Sequence, residues 1–181
     1  MKYLICSDIH GSAKATRLIL DQFYKLECQK IILLGDILYH GPRNPLPEEY
    51  NPKEVASLLN ENAANIIACR GNCDSEVDQM MLQFPILCDS AFICQNGLRL
   101  FATHGHIYSP EKMPPLFAGD IFLFGHSHIQ VLEKNKSEVI LCNPGSVSLP
   151  KGNLFSGFAT FSENSLSLYK LDGKLIQEMK L

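Results

Sequence analysis

Tyr3-Leu-Ile-Cys-Ser-Asp-Ile-His10 and Ile31-Ile-Leu-Leu-Gly-Asp36 decide the fold: in each, an apolar run of strand length stops and a carboxylate or imidazole follows at once. The pattern repeats down the chain. Asn65-Ile-Ile-Ala-Cys69 precedes Arg-Gly-Asn-Cys-Asp74, Leu98 to Ala102 precedes Thr-His-Gly-His106, and Ile121-Phe-Leu-Phe124 precedes Gly-His-Ser-His128. In an open α/β sheet the strands are buried and only the loops at their carboxyl ends can meet, so ligands bind there. The five loops therefore predict one site built from Asp8, His10, Asp36, Asn72, His104, His126 and His128. A single Gly-Asp or Asp-x-His would be ordinary turn chemistry. Of the six histidines in the chain, four fall at these strand ends, which is a pattern that turn chemistry does not produce.

Working outward, Ser12 to Glu27 carries Ala15, Leu18, Ile19, Phe23 and Leu26 on one face at helical spacing, with Ser12 as N-cap. Asn51-Pro52 supplies a cap and a first-turn proline for a second helix through Asn62, whose buried stripe is Val55, Leu58 and Leu59. With strands at 30–34 and 64–69, the first half reads β-α-β-α-β, which implies a parallel sheet with right-handed crossovers. The second half changes character. Runs at 91–94 and 98–103 flank Gln95-Asn-Gly97, and runs at 165–171 and 174–180 flank Asp172-Gly173, both hairpin signals. Further strands are expected at 138–142 and 155–161. A parallel half followed by a mostly antiparallel half suggests two sheets face to face with helices outside. The segment Tyr39 to Pro52 holds four of the ten prolines and reads as a long irregular loop beside the ligands, placed either for function or as a surface connection.

At 181 residues and 46% hydrophobic, the chain has enough apolar material for one substantial core, so residues 1–181 are expected to form a single domain. Net charge is 16 minus 19, or −3, with no lysine or arginine cluster, which argues against an extended nucleic-acid groove or an anionic membrane surface. No apolar run approaches the roughly 18 to 20 residues of a membrane span. The N-terminus enters its first strand directly, unlike a signal peptide. Seven cysteines lack the spacing of a disulfide framework or a Cys-x-x-Cys motif, so most read as small core residues of a reducing, cytoplasmic protein.

Seven oxygen and nitrogen donors are too many for one tetrahedral ion and suit two divalent ions sharing a carboxylate, with Asp36 as the natural bridge. The donor set favours Mn²⁺, Fe²⁺, Zn²⁺ or Ni²⁺ over Cu(I) or Ca²⁺, and Mn²⁺ is the ion expected first. Two such ions roughly 3.5 to 4 Å apart hold a hydroxide nucleophile at neutral pH and clamp the oxygens of an in-line phosphoryl displacement. That chemistry is phosphoester hydrolysis.

The order Asp-x-His, Gly-Asp, Gly-Asn-x-Asp, His-Gly-His, Gly-His-x-His resembles the calcineurin-like metallophosphoesterase superfamily from the first strand to Pro150. The runs beginning Gly35-Asp-Ile-Leu-Tyr-His-Gly-Pro, Arg70-Gly-Asn-Cys-Asp-Ser-Glu and Asn143-Pro-Gly-Ser-Val-Ser-Leu-Pro-Lys-Gly are most similar to the small bacterial YfcE-type phosphodiesterases. The resemblance implies a four-layer α/β/β/α sandwich of two mixed sheets. It also implies that Asp8, His10, Asp36 and His128 hold one metal and that Asp36, Asn72, His104 and His126 hold the other. Asp36, Asn72, Cys73 and Asp74 are then the catalytic candidates. Many members of the superfamily carry histidine where this chain has Cys73, and the thiol, ordinarily neutral at pH 7, is a weak acid or phosphate ligand that equally well leaves space for substrate. Arg43, by its bidentate fork, and Asn44 are candidate phosphate contacts, and a solvated loop would contain them too. His106, with His40, lies beside the ligands as a candidate substrate contact, and Asn143 to Ser146 is either a support for the site or simple turn chemistry.

The expected partner is a small phosphodiester, since monoesters carry more charge and the loops supply few cations beyond Arg43 and Arg70. A phosphomonoesterase or nucleotide phosphatase is the second enzymatic reading. The non-enzymatic alternative is a scaffold, because the retromer complex contains a subunit of this fold with little or no catalysis. A homo-oligomer is compatible with all three readings.

Overall fold

The computed structural model describes residues 1–152 and 154–181. Strands β1 (Tyr3–Cys6), β2 (Lys30–Leu33) and β3 (Ile66–Ala68) alternate with helices α1 (Ala13–Lys25) and α2 (Pro52–Asn60), and a short 3-10 turn at Ala63–Asn65 leads into β3. Both caps are the predicted ones: the Ser12 side chain accepts from the Ala15 amide at 3.2 Å and the Asn51 side chain from the Glu54 amide at 3.3 Å. A third helix, α3 (Glu76–Met81), has no apolar stripe that would announce it in the sequence. It is one and a half turns of mostly exposed residues held by a capping box between Ser75 and Asp78.

Strands β4 (Ser90–Gln95), β5 (Leu98–Thr103), β6 (Ile121–Leu123), β7 (Gln130–Lys134) and β8 (Ile140–Pro144) form a second sheet in the order β4-β5-β6-β8-β7. Strands β9 (Gly157–Phe161), β10 (Ser165–Lys170) and β11 (Leu175–Lys180) return to the first sheet, whose order is β11-β10-β9-β1-β2-β3. The sheets therefore do not correspond to the two halves of the sequence. Within the second sheet β5, β6 and β8 pair in parallel, and antiparallel pairing is confined to its edges. The reason is burial. Ile121-Phe-Leu123 is covered on both faces, as a central parallel strand must be. Strand β7 is not among the expected strands because Gln130-Val-Leu-Glu-Lys134 has one buried residue and reads as an edge.

Ile5, Ile32, Leu34, Ala102, Ile121, Leu123, Cys142 and Phe161 pack between the sheets. Leu4, Leu33, Ile19, Phe23, Val55 and Leu59 join the outer face of the first sheet to α1 and α2. On the outer face of the second sheet Phe101, Phe122 and Phe124 are covered by Tyr108, Met113 and Leu116. These last three lie in a segment, 105–120, that has no helix, so the fourth layer is built from irregular chain. The Asn96-Gly97 turn has φ of 52° and 82°, the left-handed pair that a two-residue hairpin demands. With both sheets anchored, β1, β2, β3, β5 and β6 point their carboxyl ends to one edge of the sandwich. No helix among the described residues is long and apolar enough to cross a membrane.

Candidate metal centre

Five of the predicted ligands sit in left-handed backbone: Asp8 (φ 58°), His10 (51°), Asp36 (55°), His126 (65°) and His128 (62°). Each such non-glycine residue costs on the order of 1 to 3 kcal/mol, and clusters of them persist only where the surroundings over-determine them. The surroundings do so here. A Cβ on Gly71 would stand 2.1 Å from Asp36 Oδ1, and one on Gly125 would stand 1.9 Å from Ser7 Oγ, so the glycines of Arg-Gly-Asn and Phe-Gly-His let Asp36 and Ser7 approach the backbone closely under the site. Asp74 completes the frame by accepting from the amides of Asp36 at 2.9 Å, Ile37 at 2.8 Å and Gly71 at 2.7 Å. The Ser146 and Ser148 hydroxyls donate to the Asp8 carbonyl at 2.8 and 3.0 Å.

Three imidazoles are oriented in the same way. The Nδ1–H of His10 donates to the Tyr39 carbonyl at 3.0 Å, that of His104 to the Leu34 carbonyl at 2.6 Å, and that of His128 to the Leu149 carbonyl at 2.6 Å. A carbonyl oxygen only accepts, so Nδ1 carries a proton in each ring, and Nε2 presents a lone pair whenever the ring is neutral, as it must be to hold a metal. Those lone pairs converge. His10 Nε2 is 3.3 Å from His128 Nε2 and 3.7 Å from Asp36 Oδ2, His128 Nε2 is 3.2 Å from Asp8 Oδ1, and His104 Nε2 is 3.5 Å from Asp36 Oδ2. His104 Nε2 also lies 3.2 Å from Asn72 Oδ1 and 3.2 Å from His126 Nδ1. Asp8 Oδ1 is buried without a hydrogen-bond partner among the described residues. An array of lone pairs and carboxylate oxygens repels itself unless cations share it, and imidazoles fixed through their other nitrogen are how proteins hold metals.

The electrostatics carry the same message. Burial alone would raise the Asp8 and Asp36 carboxyls, yet neighbouring imidazoles (His10 and His128 for Asp8, His104 for Asp36) hold both below the usual carboxylate range. Burial would lower His104, but the charges of Asp36 and Asp8 lift it to about 9. Burial raises Asp74 to about 6 against the pull of its three amides. His126 and His106 are lowered, by burial first and then by the charge of His104.

Asp8, His10 and His128 form one group, and Asp8, Asp36 and His104 a second, whose ligand atoms all lie within 4.8 Å of one another. Asn72 and His126 adjoin the second through His104, with Asn72 exposed at the rim. All seven predicted ligands are thus in one place. The donor set expected from sequence holds no thiolate, yet Cys73 Sγ falls within 4.8 Å of His10 and Asp36 ligand atoms. Burial first, and then Asp36, push this thiol up to about 12, which keeps it protonated.

A cleft of about 320 Å³ opens over the group, lined by Asp36, Asn72, Cys73, His126, His128, Arg43, Asn44 and Lys151. Arg43 and Asn44 thus share the cleft with Asp36, Asn72, His126 and His128. His106 does not line this cleft; its ring packs edge-on against His104 at 5.3 Å. Lys151 is not among the residues expected at the site, although it belongs to the Leu-Pro-Lys-Gly run that ends the resemblance. The supporting carbonyls of Tyr39, Leu34 and Leu149 have no signature in sequence, since every residue carries one.

The chain is 46% identical over 176 residues, 97% of its own length and 95% of the relative's, to phosphodiesterase YfcE of Escherichia coli strain K12. A solved structure described as YfcE, a phosphoesterase from E. coli, superposes with a TM-score of 0.96 at 44% identity, covering 99% of this chain and 98% of that one. Vacuolar protein sorting 29 of Cryptosporidium parvum shares the fold alone, at 16% identity and a TM-score of 0.65 over 99% of this chain and 97% of that one. The model of the calcineurin-like phosphoesterase superfamily domain matches residues 1–165, the span that supplies every strand-end loop of the site, and the chain belongs to that superfamily.

Proposed function

We propose that this protein is a phosphodiesterase working with two divalent metal ions, as one domain over residues 1–181. The observation that carries the reading is the set of three imidazoles tied by Nδ1 to backbone carbonyls, with Nε2 turned toward Asp8 and Asp36. Asp8, His10, Asp36 and His128 hold one ion, and Asp36, Asn72, His104 and His126 hold the other. Bound there, the ions would supply a nucleophile at neutral pH and charge for the phosphoryl oxygens; the mixed carboxylate, amide and imidazole donors suit Mn²⁺, Fe²⁺, Zn²⁺ or Ni²⁺, of which we take Mn²⁺ first.

The chain's own residues do the rest. Asp36 carries charge to both positions, and Asp74 holds Asp36 and Gly71 by their amides, acting as a positioning residue. Arg43, Asn44 and Lys151 face the cleft where a phosphoryl group would sit and orient its free oxygens. Cys73 stays protonated and supplies shape. His106 buttresses His104 and His126 rather than contacting substrate.

A diester is favoured over a monoester because, among the described residues, the cleft offers only Arg43 and Lys151 as cations, Arg70 being paired with Asp89 at 2.7 Å. All seven cysteines are free thiols, which supports a cytoplasmic setting. The scaffold reading draws on the fold alone, whereas the 46% relative is a phosphodiesterase. The test is to strip the protein with a chelator, restore single metals, and assay diesters and monoesters side by side. We expect reversible loss of diester hydrolysis, restoration by Mn²⁺ and an unchanged circular dichroism spectrum. An apo chain that unfolds would make the metals structural, and full hydrolysis without metal would end the dinuclear reading.

A further inference from the structure

Beside the metal cleft lies a second and larger one, of about 520 Å³, lined by Leu38, Tyr39, Tyr50, Val77 and Met81, with Cys73 as the wall shared by both. Its apolar residues are not spare core. Val77 is 70% exposed and Met81 45%, on a helix, α3, that buries none of its residues. The other wall is a ladder of rings, Tyr39 on His40 at 4.8 Å and His40 on Tyr50 at 5.2 Å. That ladder begins at a metal-site support, since the Tyr39 carbonyl holds His10 Nδ1. At the partition Cys73 meets Gly41, where an added Cβ would stand 3.0 Å from the sulfur. Two small residues therefore mark the passage between a polar, cation-bearing cleft and an apolar one, both within reach of a molecule with a phosphoryl group at one end.

Resting on the phosphodiesterase reading, we infer that the Tyr39–Tyr50–Val77–Met81 cleft is a substrate subsite for an apolar, ring-sized ester group of the diester. A cleft of this size falls among small-molecule sites, which run from about 300 to 1,000 Å³ and are mostly apolar with a few polar groups. Here the polar groups are Lys53, Ser75 and Asp78, and they include no cation cluster that would draw in the phosphoryl group itself.

Non-hydrolysable diester analogues separate this from leaving-group chemistry. Benzyl(methyl)phosphinate and ethyl(methyl)phosphinate carry the same singly charged centre, as a diester does, and differ in one organic group, so their binding to the Mn²⁺-loaded protein is compared by calorimetry and by competition with a diester substrate. Benzyl(methyl)phosphinate should bind at least about tenfold tighter, since fitted apolar groups are worth about that much or more. In Val77→Ser/Met81→Ser, whose altered residues lie on the surface, the preference should fall to within about twofold while ethyl(methyl)phosphinate still binds. Equal binding of the two probes to the unaltered protein, or a preference that survives in the double variant, would overturn the inference. Failure of the phosphodiesterase reading looks different: the loaded protein would hydrolyse no diester, and neither phosphinate would bind in calorimetry.

Discussion

The two sides of the catalytic edge are built by opposite rules. On the metal side Asp8, His10, His104, Asp36 and His128 are buried, most of them on backbone forced into left-handed turns, and each ring or carboxylate is tied by a second atom. On the side we assign to substrate, Arg43, Lys151, Val77 and Tyr39 are exposed, on an irregular loop, a short helix and a turn. The difference shows where precision is required. Convergent lone pairs must be placed to a fraction of an ångström, so they are packed into a rigid edge, whereas an organic group of variable shape needs only a surface of the right polarity.

The largest effect should come from breaking the rigid side at its shared point. Asp36→Asn removes charge from both metal positions, and we expect a loss of more than about 10³-fold in diester hydrolysis, beyond the worth of a single transition-state donor, with metal content falling at both positions. Two ions still bound in metal analysis, with near-normal turnover, would refute the shared carboxylate. Gly71→Ala sharpens the point, because it removes no donor yet drives a methyl into Asp36. It should lose metal as Asp36→Asn does.

A middling effect concerns the metal-free protein. His104 is raised from 6.5 to about 9 when folded, so the native state holds the extra proton and gains stability that is fully present below pH 6.5 and lost as pH rises through about 9. The loss is at most about 3 kcal/mol. Urea unfolding of the chelator-treated protein between pH 6.5 and 9 should show this decline, and metal loading should remove it. A metal-free protein whose stability rises across that window would mean that His104 is neutral without metal.

The smallest effect belongs to the boundary between the two sides. Cys73→Ala should cost less than about threefold, because a thiol raised to about 12 is a poor acid at neutral pH. With no strong acid there, rates should depend steeply on leaving-group pKa and favour aryl over alkyl leaving groups. A drop of about a hundredfold with both metals retained would lie in the range of general acid catalysis and would assign the thiol a chemical role.

Most of the rigid side is legible in the sequence. Apolar runs that end in Asp, His or Asn are a local signal, and both the strand ends and the ligand identities lie within a few residues of each other. The caps at Ser12 and Asn51 are legible for the same reason, since a cap and its partner amide are three residues apart. Less can be read where partners are distant. That β9 to β11 return to the first sheet is decided by pairing β9 against β1, across about 150 residues of chain. The same holds for the carbonyls behind His10, His104 and His128, for the amides gripped by Asp74 and for the approach of Lys151. The sequence alone determined which chemistry this protein carries, because donor type and strand-end position are properties of short segments. Only the tertiary structure decided which lone pair faces inward, which cations reach the cleft and that an apolar cleft adjoins it, because those depend on groups brought together by packing.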